Sequence, residues 1–132
     1  MPFVALVTVL ALLQFFWLSF QVATARTKYG VSAPATTGNE TFERHFRVQM
    51  NTLEQLVLFL PSLWIFAHFV SPLWAAALGV VFVIGRAVYA TSYVRNPKSR
   101  SLGFGLTAFP TVAMLIGIAI WAVRAILLGA AW

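Results

Sequence analysis

Glu40 to Pro61, ETFERHFRVQMNTLEQLVLFLP, is the stretch in which ionisable side chains run directly into an apolar segment of membrane length. At about 100° per residue, Glu43, Arg47, Asn51 and Glu54 fall within about 80° of one another on a helical wheel and form one polar stripe. The same face continues to Leu58 and Pro61, so the stripe is polar at one end and apolar at the other. That pattern is expected of a site that begins at a membrane surface and descends roughly 10 Å into it at 1.5 Å per residue. Ionisable groups at such depth default to function.

The composition agrees with a membrane setting. The chain has 132 residues, 61% hydrophobic and 9% charged, with a mean hydropathy of +0.86, whereas about a quarter of residues are charged in soluble domains. The net charge of +6 is read as membrane topology. The basic residues flank apolar spans, and no basic stripe with interleaved aromatics is free to follow a nucleic-acid backbone. With no cysteine, the chain has no disulfide, thiolate metal site or thiol nucleophile, so any sulfur chemistry must use a thiol carried by a ligand. His45 and His68 stand at opposite ends of one helix and cannot share a metal, so no metal is expected.

The pattern predicts an all-α membrane protein of one domain over 1–132, with spans at about 3–24, 40–69, 72–94 and 103–128. The first run exceeds the usual signal-peptide core and lacks a basic leader, so Ala23-Thr24-Ala25 is read as the end of a span and not as a cleavage site. Gln14, mid-span, is expected to hydrogen-bond between helices. Residues 25–39, with Arg26 and Lys28, read as a loop, and Thr37 with Glu40 as a capping box opening helix 2. Ser71-Pro72 opens helix 3 and Asn96-Pro97 closes it. Pro61 and Pro110 fall inside spans, where a packed membrane helix tolerates them. Arg86, Tyr89 and Tyr93 lie within about 60° on helix 3 and form a second inward stripe.

Short turns imply an up-down-up-down bundle. Basic residues cluster around the 1–2 and 3–4 loops and are absent from the 2–3 turn, so those two loops are expected on the cytoplasmic side. Arg95 and Lys98 read as interface anchors, Arg124 as a snorkelling residue, and Trp17, Trp64, Trp74, Trp121 and Trp132 as packing or belt residues.

Two segments carry a family resemblance: FERHFRVQMNTLEQLVLFLPSLW, with the ATTG ahead of it, and Gly85-Arg86 followed by AVYATSYVRNPKSRSLGF. They resemble the two signature regions of the MAPEG family, the membrane-associated proteins in eicosanoid and glutathione metabolism. Its members include microsomal glutathione transferases and leukotriene C4 synthase, and the length resembles that of a short bacterial member. The resemblance implies a homotrimer of four-helix protomers in a bacterial inner membrane, binding glutathione at subunit interfaces. It implies Arg47, Gln49, Asn51, Glu54, Arg86, Tyr89 and Tyr93 as glutathione-binding residues, with Arg26 and Arg100 reaching in from the neighbouring protomer and Arg100 activating the thiol. The implied reaction is conjugation to a hydrophobic electrophile from the lipid phase, with lipid hydroperoxide reduction as a second activity. Two departures stand out: Gln55 where leukotriene C4 synthase has a tyrosine, and Thr27 where it has a second arginine.

Glutathione carries two carboxylates and one ammonium at neutral pH, which suit arginine forks and one carboxylate. Its thiol titrates near 8.5. Lowering that by about two units needs roughly 2.7 kcal/mol of preference for the anion, within reach of one charge-assisted hydrogen bond at about 1.5–3 kcal/mol. Two other readings stay open: a silent glutathione-binding protein with the same architecture, and a small four-helix efflux transporter. The latter needs a midplane acid in its first helix, which here has none.

Overall fold

In a computed structural model that describes residues 1–129, the chain forms α1 (Pro2–Tyr29), α2 (Glu40–Phe69), α3 (Pro72–Arg95), one 3-10 turn (Pro97–Ser99) and α4 (Ser101–Leu127). Trp132 lies outside the described residues. All four helices are long and apolar enough to cross a membrane, and no strand occurs among the described residues. Large apolar side chains point outward, Phe16 and Leu127 being 74% and 79% exposed. An outer surface of this kind needs lipid around it. The protein is an all-α integral membrane protein built as an up-down bundle of four helices.

The helix ends differ from the sequence reading in ways that local chemistry explains. The first helix runs on to Tyr29, closed by Gly30 at φ 68°, whose N–H donates to the Arg26 carbonyl. Arg26 and Lys28 are therefore in the last turn of α1 and not in the loop, where they complement the negative end of the helix dipole. The cap of α2 is Asn39 and not Thr37: the Asn39 Oδ1 accepts from the Phe42 N–H at 3.0 Å. Glu43 reaches back instead to the Gly38 N–H, at 3.3 Å. Ser71 caps α3 as expected, accepting from the Trp74 N–H at 3.2 Å. The fourth helix starts at Ser101, leaving a linker shorter than anticipated.

The α2 and α3 helices form the central pair, with α1 and α4 each packed against both. Phe59 and Phe82 stack at its centre, ring centroids 3.8 Å apart. Gln14 ties α1 to α3, its Nε2 donating to the Val83 carbonyl at 3.0 Å. Arg44 ties α2 to the end of α3, with Nη1 donating to the Val94 carbonyl at 3.1 Å and Nη2 paired with Glu40 at 2.6 Å. A backbone-to-backbone contact joins α3 to α4. A Cβ on Gly103 would lie 2.4 Å from the Tyr89 Cα and N, and one on Gly85 would lie 2.7 Å from the Leu106 carbonyl carbon. Small residues let membrane helices approach backbone to backbone, and here they press the start of α4 onto Tyr89.

Candidate functional site

Three elements meet where that contact is made. A cavity of about 270 Å³ is lined by Arg47 and Asn51 of α2, Tyr89 and Tyr93 of α3, Arg100 of the linker and Phe104 of α4. Five of those six residues come from the two polar stripes and the 3–4 linker singled out by sequence. A larger groove of about 400 Å³ lies between α1 and α3, but it holds neither Arg47 nor Arg100, so volume does not identify the chemistry.

Around the smaller cavity the charged side chains are accessible. The Arg47 Nη1 lies 3.5 Å from the Glu54 Oε1, and both side chains are more than half exposed. The Asn51 Oδ1 is buried without a hydrogen-bond partner. Tyr89 and Tyr93 stack with centroids 5.5 Å apart and planes 19° apart. Arg100 is exposed and stands at the start of α4, which has no side-chain cap. The first N–H groups of α4 are thus free of a side-chain partner, and with Arg100 they make an electropositive rim.

Arg86 is placed differently from expectation. It is fully buried and lies behind Tyr89, outside the lining of this cavity. Its Nη2 donates to the Thr52 Oγ1 at 2.7 Å and its Nη1 to the Thr107 Oγ1 at 3.4 Å, while the guanidinium carbon lies 4.3 Å from the Tyr89 ring centroid. Both threonines donate their own hydrogens to helix carbonyls, Val48 at 2.7 Å and Gly103 at 2.8 Å. No acid answers this charge, since Glu40 pairs with Arg44, Glu54 with Arg47, and Glu43 accepts from Gly38. Arg86 therefore joins α2, α3 and α4 and backs Tyr89.

Two further expected residues lie elsewhere on the chain. Gln49 is about 200° around the helix from Arg47, and its Nε2 donates to Ser19 of α1 at 3.0 Å. Arg26 lies over the Phe42 ring at 4.8 Å and donates to the Ala35 carbonyl at 2.7 Å. Both belong to the α1 side. Arg100, expected from a neighbouring protomer, lines the cavity of its own chain. Sequence reasoning did not find Thr52, Thr107, Phe104 or the Gly85 and Gly103 contacts. The available signal was Arg86 itself, because a buried guanidinium needs acceptors and hydroxyl residues on facing helices can supply them.

Comparison with known proteins places this geometry in context. The MAPEG family model matches residues 4–120. An uncharacterized protein of the cyanobacterium Synechocystis is 49% identical over 113 residues, covering 86% of this chain and 82% of that one. Human microsomal glutathione S-transferase 2 is 37% identical over 119 residues, 87% of this chain and 81% of the relative. Bovine leukotriene C4 synthase is 40% identical over 96 residues, 73% and 64% of the two chains. With the match running through all four helices and both polar stripes, the chain belongs to the MAPEG family.

Proposed function

We propose that this protein is a membrane glutathione transferase that ionises the glutathione thiol and conjugates it to hydrophobic electrophiles drawn from the lipid. The observation that carries the reading is the convergence of Arg47, Asn51, Tyr89, Tyr93 and Arg100 on one cavity. The similarity to microsomal glutathione S-transferase 2 supports the choice of ligand. Arg47 takes a glutathione carboxylate through its planar fork. Glu54, already 3.5 Å from Arg47, answers the ammonium. Asn51 lines the same cavity and offers its side-chain amide to the ligand backbone.

Arg100 and the open end of α4 hold the thiolate. The thiol proton leaves to water at the membrane surface, and the sulfur remains as an anion in front of the guanidinium. Its electron pair forms the bond to the electrophilic carbon, and the leaving group departs with the electrons of the bond that breaks. With a lipid hydroperoxide the thiolate attacks the terminal oxygen, the O–O bond breaks, and the departing alkoxide takes a proton from water to leave as the alcohol; a second glutathione converts the sulfenic acid to the disulfide and water.

Arg26 and Gln49 face away from their own chain's cavity, which favours an assembly in which they serve a neighbour's site. A homotrimer meets that requirement. The basic residues Arg26, Lys28, Arg44, Arg95, Lys98 and Arg100 share one end of the bundle, which supports a cytoplasmic position for that end in a bacterial inner membrane. The test is the ultraviolet difference spectrum of the detergent-purified protein on adding glutathione. A thiolate band at neutral pH that vanishes in Arg100→Ala is expected. Binding in both proteins with no thiolate in either would replace the transferase reading with that of a silent binding protein.

A further inference from the structure

A second feature lies between α1 and α3, on the face of α1 that carries Trp17 and Lys28, about 160–180° around the helix from Arg26. The groove between α1 and α3, about 400 Å³, runs from Gln14 and Arg86 past Trp17 and Ala90 to Arg95. A further hollow of about 300 Å³ shares Trp17, Gln21 and His45 with it and continues along α1 to Lys28. The two hollows adjoin through those three shared residues. From Gln14 to Lys28 the helix rises about 21 Å. Half of a bilayer, from midplane through the headgroups, measures about 20–22 Å. Along α1 their combined lining therefore spans the length of one lipid leaflet.

Its electrostatics are one-sided. Lys28 and Arg95 are exposed at the mouth and Arg86 lies at the floor, while no acid lines either hollow. The chain's three acids are engaged elsewhere, with Arg44, with Arg47 and with the Gly38 N–H. A zwitterionic headgroup would set its ammonium against these cations. Between the charged mouth and the floor the walls are mainly apolar, formed by Trp17, Leu18, Ala87, Ala90 and Val94, with Gln21, His45 and Thr91 as the polar members.

We propose that this groove is a binding site for one anionic phospholipid, its phosphate held between Lys28 and Arg95 beside His45 and one acyl chain lying along Trp17 and Ala90. The occupant is defined by three properties of the site together: a positive mouth without an acid, a mainly apolar wall, and the length of one leaflet along α1. The site is separate from the glutathione cavity and does not depend on that assignment.

Trp17 supplies the probe. The full chain is reconstituted in phosphatidylcholine vesicles containing small fractions of phosphatidylglycerol brominated on its acyl chains, and tryptophan quenching is followed as that fraction rises. Saturable quenching at low fraction is expected in the wild type. It disappears in Trp17→Phe. In the double variant Lys28→Gln/Arg95→Gln, which alters only exposed side chains, the midpoint shifts upward by about 30-fold, the effect of removing two surface cations. Brominated phosphatidylcholine quenching as effectively would overturn the proposal, since the groove would then hold ordinary solvating lipid. So would an unshifted midpoint in the double variant, saturable quenching that survives in Trp17→Phe, or displacement of the lipid by inorganic phosphate, which would mark a site for soluble anions.

Discussion

Replacing Gly103 by alanine tests whether packing sets the chemistry. The added Cβ would lie 2.4 Å from the Tyr89 Cα and N, whereas carbon atoms in contact rest at about 3.5–4.0 Å. The start of α4 must then move away from α3 by about 1 Å, carrying Arg100 and Phe104 with it. Overpacking of this kind costs about 1–3 kcal/mol, and alanine returns at most about 1 kcal/mol through its helix propensity, so a net loss of about 1–2 kcal/mol is expected. The functional effect should be larger than the thermodynamic one, because misplacing a reacting group by about 1 Å lowers rates by as much as about 10²-fold. Gly105 is the control: it has nothing within 4 Å of its would-be Cβ, so Gly105→Ala should be neutral or slightly stabilising. Thermal unfolding in detergent and kcat/KM for glutathione with an aryl halide measure both quantities. If Gly103→Ala melts lower but turns over at the wild-type rate, the α3–α4 contact does not position Arg100 and packing there does not set the chemistry.

Three other substitutions separate structural from functional roles. Thr52→Val removes the 2.7 Å partner of buried Arg86 and should cost about 1.5 kcal/mol, near the upper end for hydrogen bonds between membrane helices; Thr107→Val, with a 3.4 Å bond, should cost less than half as much, and equal losses in the two melting curves would contradict the geometry. Glu54→Gln breaks an exposed pair, so stability should change by less than about 0.5 kcal/mol, yet glutathione titrated by calorimetry should bind at least tenfold more weakly; a large fall in melting temperature with unchanged affinity would make Glu54 structural. Arg100→Lys keeps the charge but loses the planar fork, and the thiolate band should be partly retained where Arg100→Ala abolishes it; identical spectra for the two variants would show that charge at this position does not hold the thiolate.

The four spans were legible because a bilayer requires long apolar runs with satisfied backbones, and that requirement is written in composition and length. The paired stripes on α2 and α3 were legible for a related reason, since helical periodicity places Arg47, Asn51 and Glu54 on one face whatever surrounds them. Helix ends were less so. The choice of Asn39 over Thr37 as cap, and the run of α1 to Tyr29, depend on local backbone geometry that several nearby polar residues could satisfy equally well in one dimension.

What only the tertiary structure decided is which polar residues share a space. Arg86 belongs to the same stripe as Tyr89 and Tyr93, but its partners Thr52 and Thr107 lie on other helices, and those contacts hold it behind Tyr89, outside the lining of the cavity. Gln49 stands two residues from Arg47 and Asn51 in sequence, yet packs against Ser19 on the far side of α2. Arg100 reaches the cavity of its own chain because two glycines bring α4 against α3. Periodicity reports direction around one helix axis. Which neighbour fills that direction is set by packing between helices, and packing depends on residues distant in sequence.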